Sequence, residues 1–119
     1  MTWKPDKSRP ICPQIVEQLC VRIGNGSLQP GQRLKSVRET ALESGVNPNT
    51  VQKAFEQLEA KGLLTSLRGS GWYVSENTEA AREETDRLLH EKARLFFEDM
   101  RGLGFTDEQI KDYVKEWNE

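Results

Sequence analysis

The segment GVNPNTVQKAFEQLEAKG, Gly45–Gly62, marks both ends of a helix. Asn47 suits the cap, Pro48 the first helical position and Gly62 the stop. Between them Val51, Ala54, Phe55 and Leu58 recur at helical spacing and make one apolar face. The remaining face carries Asn49, Thr50, Gln52, Lys53 and Glu56. A surface helix usually shows mixed charges there. This one leads with amides and a hydroxyl, the groups that read hydrogen-bond patterns.

Upstream, Ser36 to Glu39 has the capping-box spacing, in which a serine hydroxyl and a glutamate satisfy free amides at a helix start. VRETALES follows and Gly45 ends it, so only Gly45-Val46 separates this short helix from Asn47. That is helix-turn-helix spacing. Downstream, LLTSLR and WYVS flank Gly69-Ser70-Gly71, a hairpin signal with Arg68 at its tip. Before the pair, Cys12, Ile15, Val16, Leu19, Cys20 and Ile23 form a helical stripe after Pro10 and Pro13. GNGS ends that helix, and LQPGQRL is expected to turn through Pro30-Gly31. Residues 1–9, MTWKPDKSR, read as a loose arm. Helix, helix-turn-helix and hairpin, in that order, spell a winged helix-turn-helix domain.

After Asn77 a polar bridge leads into a long helix carrying Leu88, Leu89, Leu95, Phe96 and Met100, interrupted by Gly102 and Gly104. Thr106 to Gln109 makes a second capping box, and a final helix holds Ile110, Tyr113, Val114 and Trp117 on one side. The expected fold is mainly α with a small β-hairpin: a winged helix-turn-helix DNA-binding domain over 1–76 and a two-helix dimerisation module over 77–119.

Net charge is −2, but it is unevenly spread. Residues 1–75 hold ten Lys/Arg against six Asp/Glu, while residues 76–119 hold seven against thirteen. A mildly basic module is joined to an acidic one, which suggests different tasks. No apolar run approaches the ~20 residues of a membrane helix, and no secretion signal is evident, so cytoplasmic residence is expected. Cys12 and Cys20 lie roughly 12 Å apart along one helix, too far for a disulfide. With His90 the single histidine, no metal-ligand spacing occurs, and no cofactor is expected.

An α-helix fits the DNA major groove, and its first turn comes closest to the bases. Asn and Gln can pair with adenine, and a Thr methyl suits thymine. Asn47, Asn49, Thr50, Gln52 and Lys53 therefore form a candidate reading set. The plainer alternative makes Asn47 a cap and leaves Gln52 and Lys53 solvated; the flanking elements favour the reading set. Arg38 can reach a phosphate or guanine edge, or else pair with Glu39 or Glu43. Ser36 can cap, touch phosphate, or both. Lys35 adds charge nearby. Arg68, Gly69, Ser70 and Gly71 suit a wing, where glycines let backbone approach phosphate or enter the minor groove.

From PICPQIVEQL through SLQPGQRLKSVRE and SGVNPNTVQKAFEQLEAKGLL to RGSGWYV, the chain resembles the GntR family of bacterial transcription regulators. The short tail with GLGFTDEQI is similar to the YtrA-like branch, whose two-helix C-terminal module makes dimers. By that resemblance Arg38, Asn47, Asn49, Thr50, Gln52, Arg68 and Gly69 match positions at the family's DNA surface. Other branches carry arginine where Pro48 and Gln52 stand, which implies a different base preference. The resemblance implies a bacterial, nucleoid-associated repressor bound to a palindromic double-stranded operator.

Leu88, Leu89, Leu95, Phe96, Met100, Leu103, Phe105, Ile110, Tyr113, Val114 and Trp117 give the tail more apolar area than two helices hide, so a homodimer is expected to share it. The alternative is a tail folded back on its own winged domain. Two other functions compete. A winged helix can serve as a protein-interaction module without specific DNA binding, but such a module needs no amide-rich face between arginines. An enzyme is disfavoured, because His90 has no nucleophile or metal set beside it. The tail is too short to enclose a ligand pocket of several hundred cubic ångströms; a small effector at the dimer seam stays open.

Overall fold

The computed structural model describes residues 3–118; Met1 and Thr2 of the expected arm, and Glu119, lie outside the described residues. Helix α1 (Ile11–Gly24) buries Ile15, Leu19 and Cys20 and half-buries Cys12, Val16 and Ile23. The arm before it is not loose over residues 3–9. Gln14 donates through Nε2 to the carbonyls of Asp6 and Pro10 at 2.8 and 2.9 Å, and its Oε1 accepts from the Asp6 amide at 2.8 Å. Asp6 in turn accepts from the Ser8 hydroxyl and amide, which hold its carboxyl below the usual aspartate range. Pro5 is buried. A single glutamine one turn into α1 thus clasps a segment whose polar composition suggested no partner.

Helix α2 (Val37–Ser44) starts with the expected capping box: Ser36 Oγ accepts from the Glu39 amide at 3.0 Å, and Glu39 Oε1 accepts from the Ser36 amide at 3.2 Å. It ends at Gly45, whose φ of 69° and ψ of 34° lie in the left-handed region that other residues avoid. Helix α3 (Pro48–Ala60) follows at once and buries Val51, Ala54, Phe55 and Leu58, each at most 1% exposed. Burial of Phe55 and Leu58 contributes about 2 kcal/mol each before the entropy of ordering is counted. The core of this part of the molecule is α3 set against α1, α2 and the hairpin.

Strands β1 (Leu64–Leu67) and β2 (Gly71–Val74) pair antiparallel, Leu64 opposite Val74 and Leu67 opposite Gly71, with Arg68, Gly69 and Ser70 between them. A third segment joins the sheet. The Gly31 amide donates to the Val74 carbonyl, the Val74 amide to Gln32 and the Leu34 amide to Trp72, all at 2.9 Å, with Arg33 opposite Tyr73. The turn expected through Pro30-Gly31 forms, but Gln32–Leu34 then runs as an edge beside β2. The stretch is too short for strand periodicity to reveal it.

Contacts divide the chain into one unit ending at Thr85 and another beginning at Asp86. The sequence-based boundary lay at 76/77. The difference arises because helix α4 (Thr78–Gly102) is already formed and engaged in its first turns. Asn77 Oδ1 accepts from the Glu79 amide at 3.1 Å, so the polar bridge is a helix start. Ala81 is buried, Lys61 pairs with Glu84 at 3.4 Å, and Thr85 Oγ1 sits where a side chain on Gly24 would have to go.

In the second unit, helix α5 (Asp107–Lys115) begins with the second expected capping box, Thr106 with Gln109. Arg101 crosses the intervening turn, placing Nε 2.6 Å from Asp107 Oδ1 and Nη2 3.0 Å from Oδ2. The same guanidinium lies 5.6 Å from the Phe97 ring centre. Ile110 is fully buried within the single chain. It was expected at a surface shared with a partner, and its burial corrects that. The other ten apolar residues assigned to the dimer surface are exposed or half-exposed, Leu103 at 73% and Trp117 at 59%.

Candidate nucleic-acid interface

The candidate reading residues lie where the first turns of α3 leave the Gly45 turn. Asn49 and Lys53 are exposed, and Thr50 and Gln52 half-exposed, on the side opposite the buried stripe. Two amide heads are already engaged. Asn47 Oδ1 accepts from the Asn49 amide at 2.7 Å, which is the capping bond. A paired contact to adenine requires both oxygen and nitrogen of a carboxamide, so Asn47 can make one only by sharing the oxygen that already holds the cap. Gln52 Nε2 donates to Glu56 Oε1 at 3.1 Å, one turn further along α3. That bond uses one Nε2 hydrogen and leaves the Gln52 oxygen and the second hydrogen free, with the head turned towards Glu56.

The positive side chains sort into engaged and unengaged. Lys35 pairs with Glu43, which holds the glutamate below the usual carboxylate range and raises the lysine. Glu39 is occupied by the capping box. The two acids that could have drawn Arg38 into a surface pair are thus bound elsewhere. Among the described residues the exposed Arg38 guanidinium makes no ion pair or hydrogen bond. Ser36 is committed to its cap through Oγ.

In the wing, Arg68 and Gly69 are exposed at the turn, and Gly69 has open space around its Cα. The Ser70 hydroxyl lies 2.7 Å from the Tyr73 hydroxyl and braces the turn from inside. At Gly71, φ is 111° and the Arg33 guanidinium lies 3.4 Å from where a Cβ would project. The backbone conformation favours glycine, while the Arg33 guanidinium would meet a Cβ only at ordinary van der Waals distance.

Two cations escaped the sequence reading. Arg33 flanks the wing because Gln32–Leu34 joins β2, a pairing that the sequence did not signal. Lys7 Nζ lies 3.6 Å from a Cβ built on Gly45, beside the helix-turn-helix corner, because Gln14 folds the arm back. Charge alone could have flagged Lys7, but nothing local predicted the clasp. Lys7 at the Gly45 corner and Arg33 beside the wing thus join Arg38, Lys53 and Arg68 as exposed cations of a kind that suits phosphates.

Among the described residues no cluster of His, Cys, Asp and Glu could hold a metal ion, and no helix is long and apolar enough to cross a membrane. Cys20 is buried, Cys12 half-buried, and neither forms a disulfide.

A family model described as bacterial regulatory proteins, gntR family, matches residues 13–74, more than half the chain. YhcF of Bacillus subtilis (strain 168), an HTH-type transcriptional regulator, is 37% identical over 112 residues that cover 94% of this chain and 93% of YhcF. The HTH-type transcriptional repressor YtrA of the same organism is 36% identical over 113 residues, covering 94% and 87%. A GntR family transcriptional regulator from Listeria monocytogenes superposes with a TM-score of 0.85 at 32% identity, covering 96% of this chain and all of that one. With the recognition-type helix, its capped partner and the hairpin in place, the chain belongs to the gntR family of bacterial regulatory proteins, as a transcriptional regulator with a winged helix-turn-helix DNA-binding domain.

Proposed function

We propose that this regulator is a repressor that grips a palindromic double-stranded operator as a homodimer, in the cytoplasm. The observation that carries the proposal is the two-sidedness of α3. One face is wholly buried, which fixes the helix, and the other offers Asn49, Thr50, Gln52 and Lys53 outward. Mixed amides, a hydroxyl and a cation, flanked by Arg38 and Arg68, suit base edges and phosphates. A surface meant only for another protein gains nothing from that pattern.

Dimerisation is supported by the second unit taken alone. Phe96, Met100, Leu103, Phe105, Tyr113 and Trp117 line an open groove of about 740 Å³ with mostly apolar walls. Two such grooves pressed together would remove that surface from water, and symmetry would supply two α3 helices to one duplex.

The test is selection of bound duplexes from a random pool, followed by footprinting. An enriched inverted repeat with half-sites about one helical turn apart is expected. A pool with no enriched sequence refutes specific recognition, and sedimentation of a monomer at micromolar concentration refutes the dimer.

A further inference from the structure

The first unit contains a part-enclosed cavity of about 310 Å³ that shares Arg33 and Lys35 with the candidate DNA surface but is otherwise separate from the outward face of α3. Its apolar wall comes from Leu19, Leu28, Leu34 and Phe55. One polar group faces it from α2. Thr40 is 7% exposed, and among the described residues nothing hydrogen-bonds its hydroxyl. No described side-chain nitrogen or oxygen is both fully buried and without a hydrogen bond, so the unpartnered Thr40 hydroxyl is open to solvent and, on a residue that lines the cavity, offers a donor and an acceptor to a guest. Three cations, Arg22, Arg33 and Lys35, also line the cavity. Lys35 is neutralised by Glu43, whereas Arg33 has no ion-pair or hydrogen-bond partner among the described residues.

We propose that this cavity binds a small amphipathic anion, its apolar body against Leu28, Leu34 and Phe55, a polar atom on Thr40, and its negative head at Arg33. The volume lies at the lower end for small-molecule sites and suits a chain or ring of about eight to ten heavy atoms. A neutral apolar guest would leave Arg33 and Thr40 unanswered. A bare inorganic anion would leave the apolar wall wet.

Occupancy has a route to the DNA surface, and this part rests on the regulator reading proposed above. Phe55 belongs to α3, and its ring meets Trp72 of the wing at 5.5 Å. Arg33 flanks the wing at Gly71. A head group that draws Arg33 inward removes a cation from phosphate reach.

The test is calorimetric titration of the full chain with octanoate, 1-octanol and acetate. Octanoate is expected to bind at least about tenfold more tightly than either control, since only it supplies both tail and charge. Thr40→Val should weaken octanoate about fivefold, and Arg33→Gln should bring it to the level of octanol. Leu28→Trp, which fills the space, should abolish binding, with thermal unfolding confirming that it folds; should it not fold, Thr40→Val decides alone. Equal affinity for octanoate and octanol, or an unaltered Thr40→Val, overturns the site. Duplex binding unchanged at saturating octanoate overturns the coupling. A chain that takes octanoate but no duplex refutes the regulator reading while the site stands.

Discussion

The rings of Phe55 and Trp72 meet edge to face, 5.5 Å apart at 74°, and this contact ties the middle of α3 to the second strand of the wing. Phe55 is 1% exposed and sits among the residues that fix α3, so α3 and the hairpin share one anchor. Phe55→Ala should therefore cost about 3 to 5 kcal/mol in urea unfolding followed by tryptophan emission. A loss below about 1 kcal/mol would show that the ring is not a core anchor.

Arg38 is predicted to outweigh Lys35 in DNA binding, because Glu43 already holds the Lys35 charge. Arg38→Ala should weaken duplex binding about tenfold or more in fluorescence anisotropy and leave the circular dichroism spectrum unchanged. If its contact is to a phosphate, the log–log salt slope should fall by about 0.9. Lys35→Ala should have the smaller effect of the two.

Asn47 and Asn49 should separate stability from recognition. Asn47→Ala removes the bond to the Asn49 amide and should cost about 1 kcal/mol of unfolding free energy. Asn49→Ala lacks that role through its side chain. It should unfold like the parent yet bind the selected duplex more weakly by about 1 to 3 kcal/mol. Identical melting of both variants would remove Asn47 from the cap.

The Arg101–Asp107 fork sets a pH dependence in the second unit. The guanidinium holds the Asp107 carboxyl below the usual aspartate range, with Lys111 adding to it. A depressed carboxylate contributes stability that is complete above the unfolded-state value and is lost as pH falls through the folded one. Asp107→Asn should lower the melting temperature at neutral pH, and the gap to the parent should close as pH falls below the unfolded-state aspartate value of about 3.9. A gap that stays constant on that descent would dismiss the pair as a stabilising element.

Trp117→Glu places a charge in the exposed apolar groove of the second unit. If the groove forms the proposed dimer, sedimentation equilibrium should show the variant as monomer and the parent as dimer, with duplex affinity falling accordingly. Ile110→Glu is no substitute test, because Ile110 is buried in the single chain and its charge would unfold the module.

What the sequence disclosed was local chemistry repeated at helical spacing. The α3 stripe, both capping boxes and the Gly45 stop each follow from a few neighbouring residues, and all are present. What stayed hidden depends on partners far along the chain. Gln14 reaching Asp6, Leu34 bonding Trp72 and Thr85 resting on Gly24 have no periodic trace. In the interface the residue types were legible, but their commitments were not: Gln52 and Asn47 can be named from sequence, whereas their engaged atoms appear only once side chains are placed.

The bond from Gln52 to Glu56 bears on how such regulators diverge. A duplicate gene could acquire a new target without altering the amide itself, since exchanging position 56 would release or re-aim it. Lineages sharing every other outward residue of α3 could then recognise different promoters, and comparisons restricted to those positions would group them falsely.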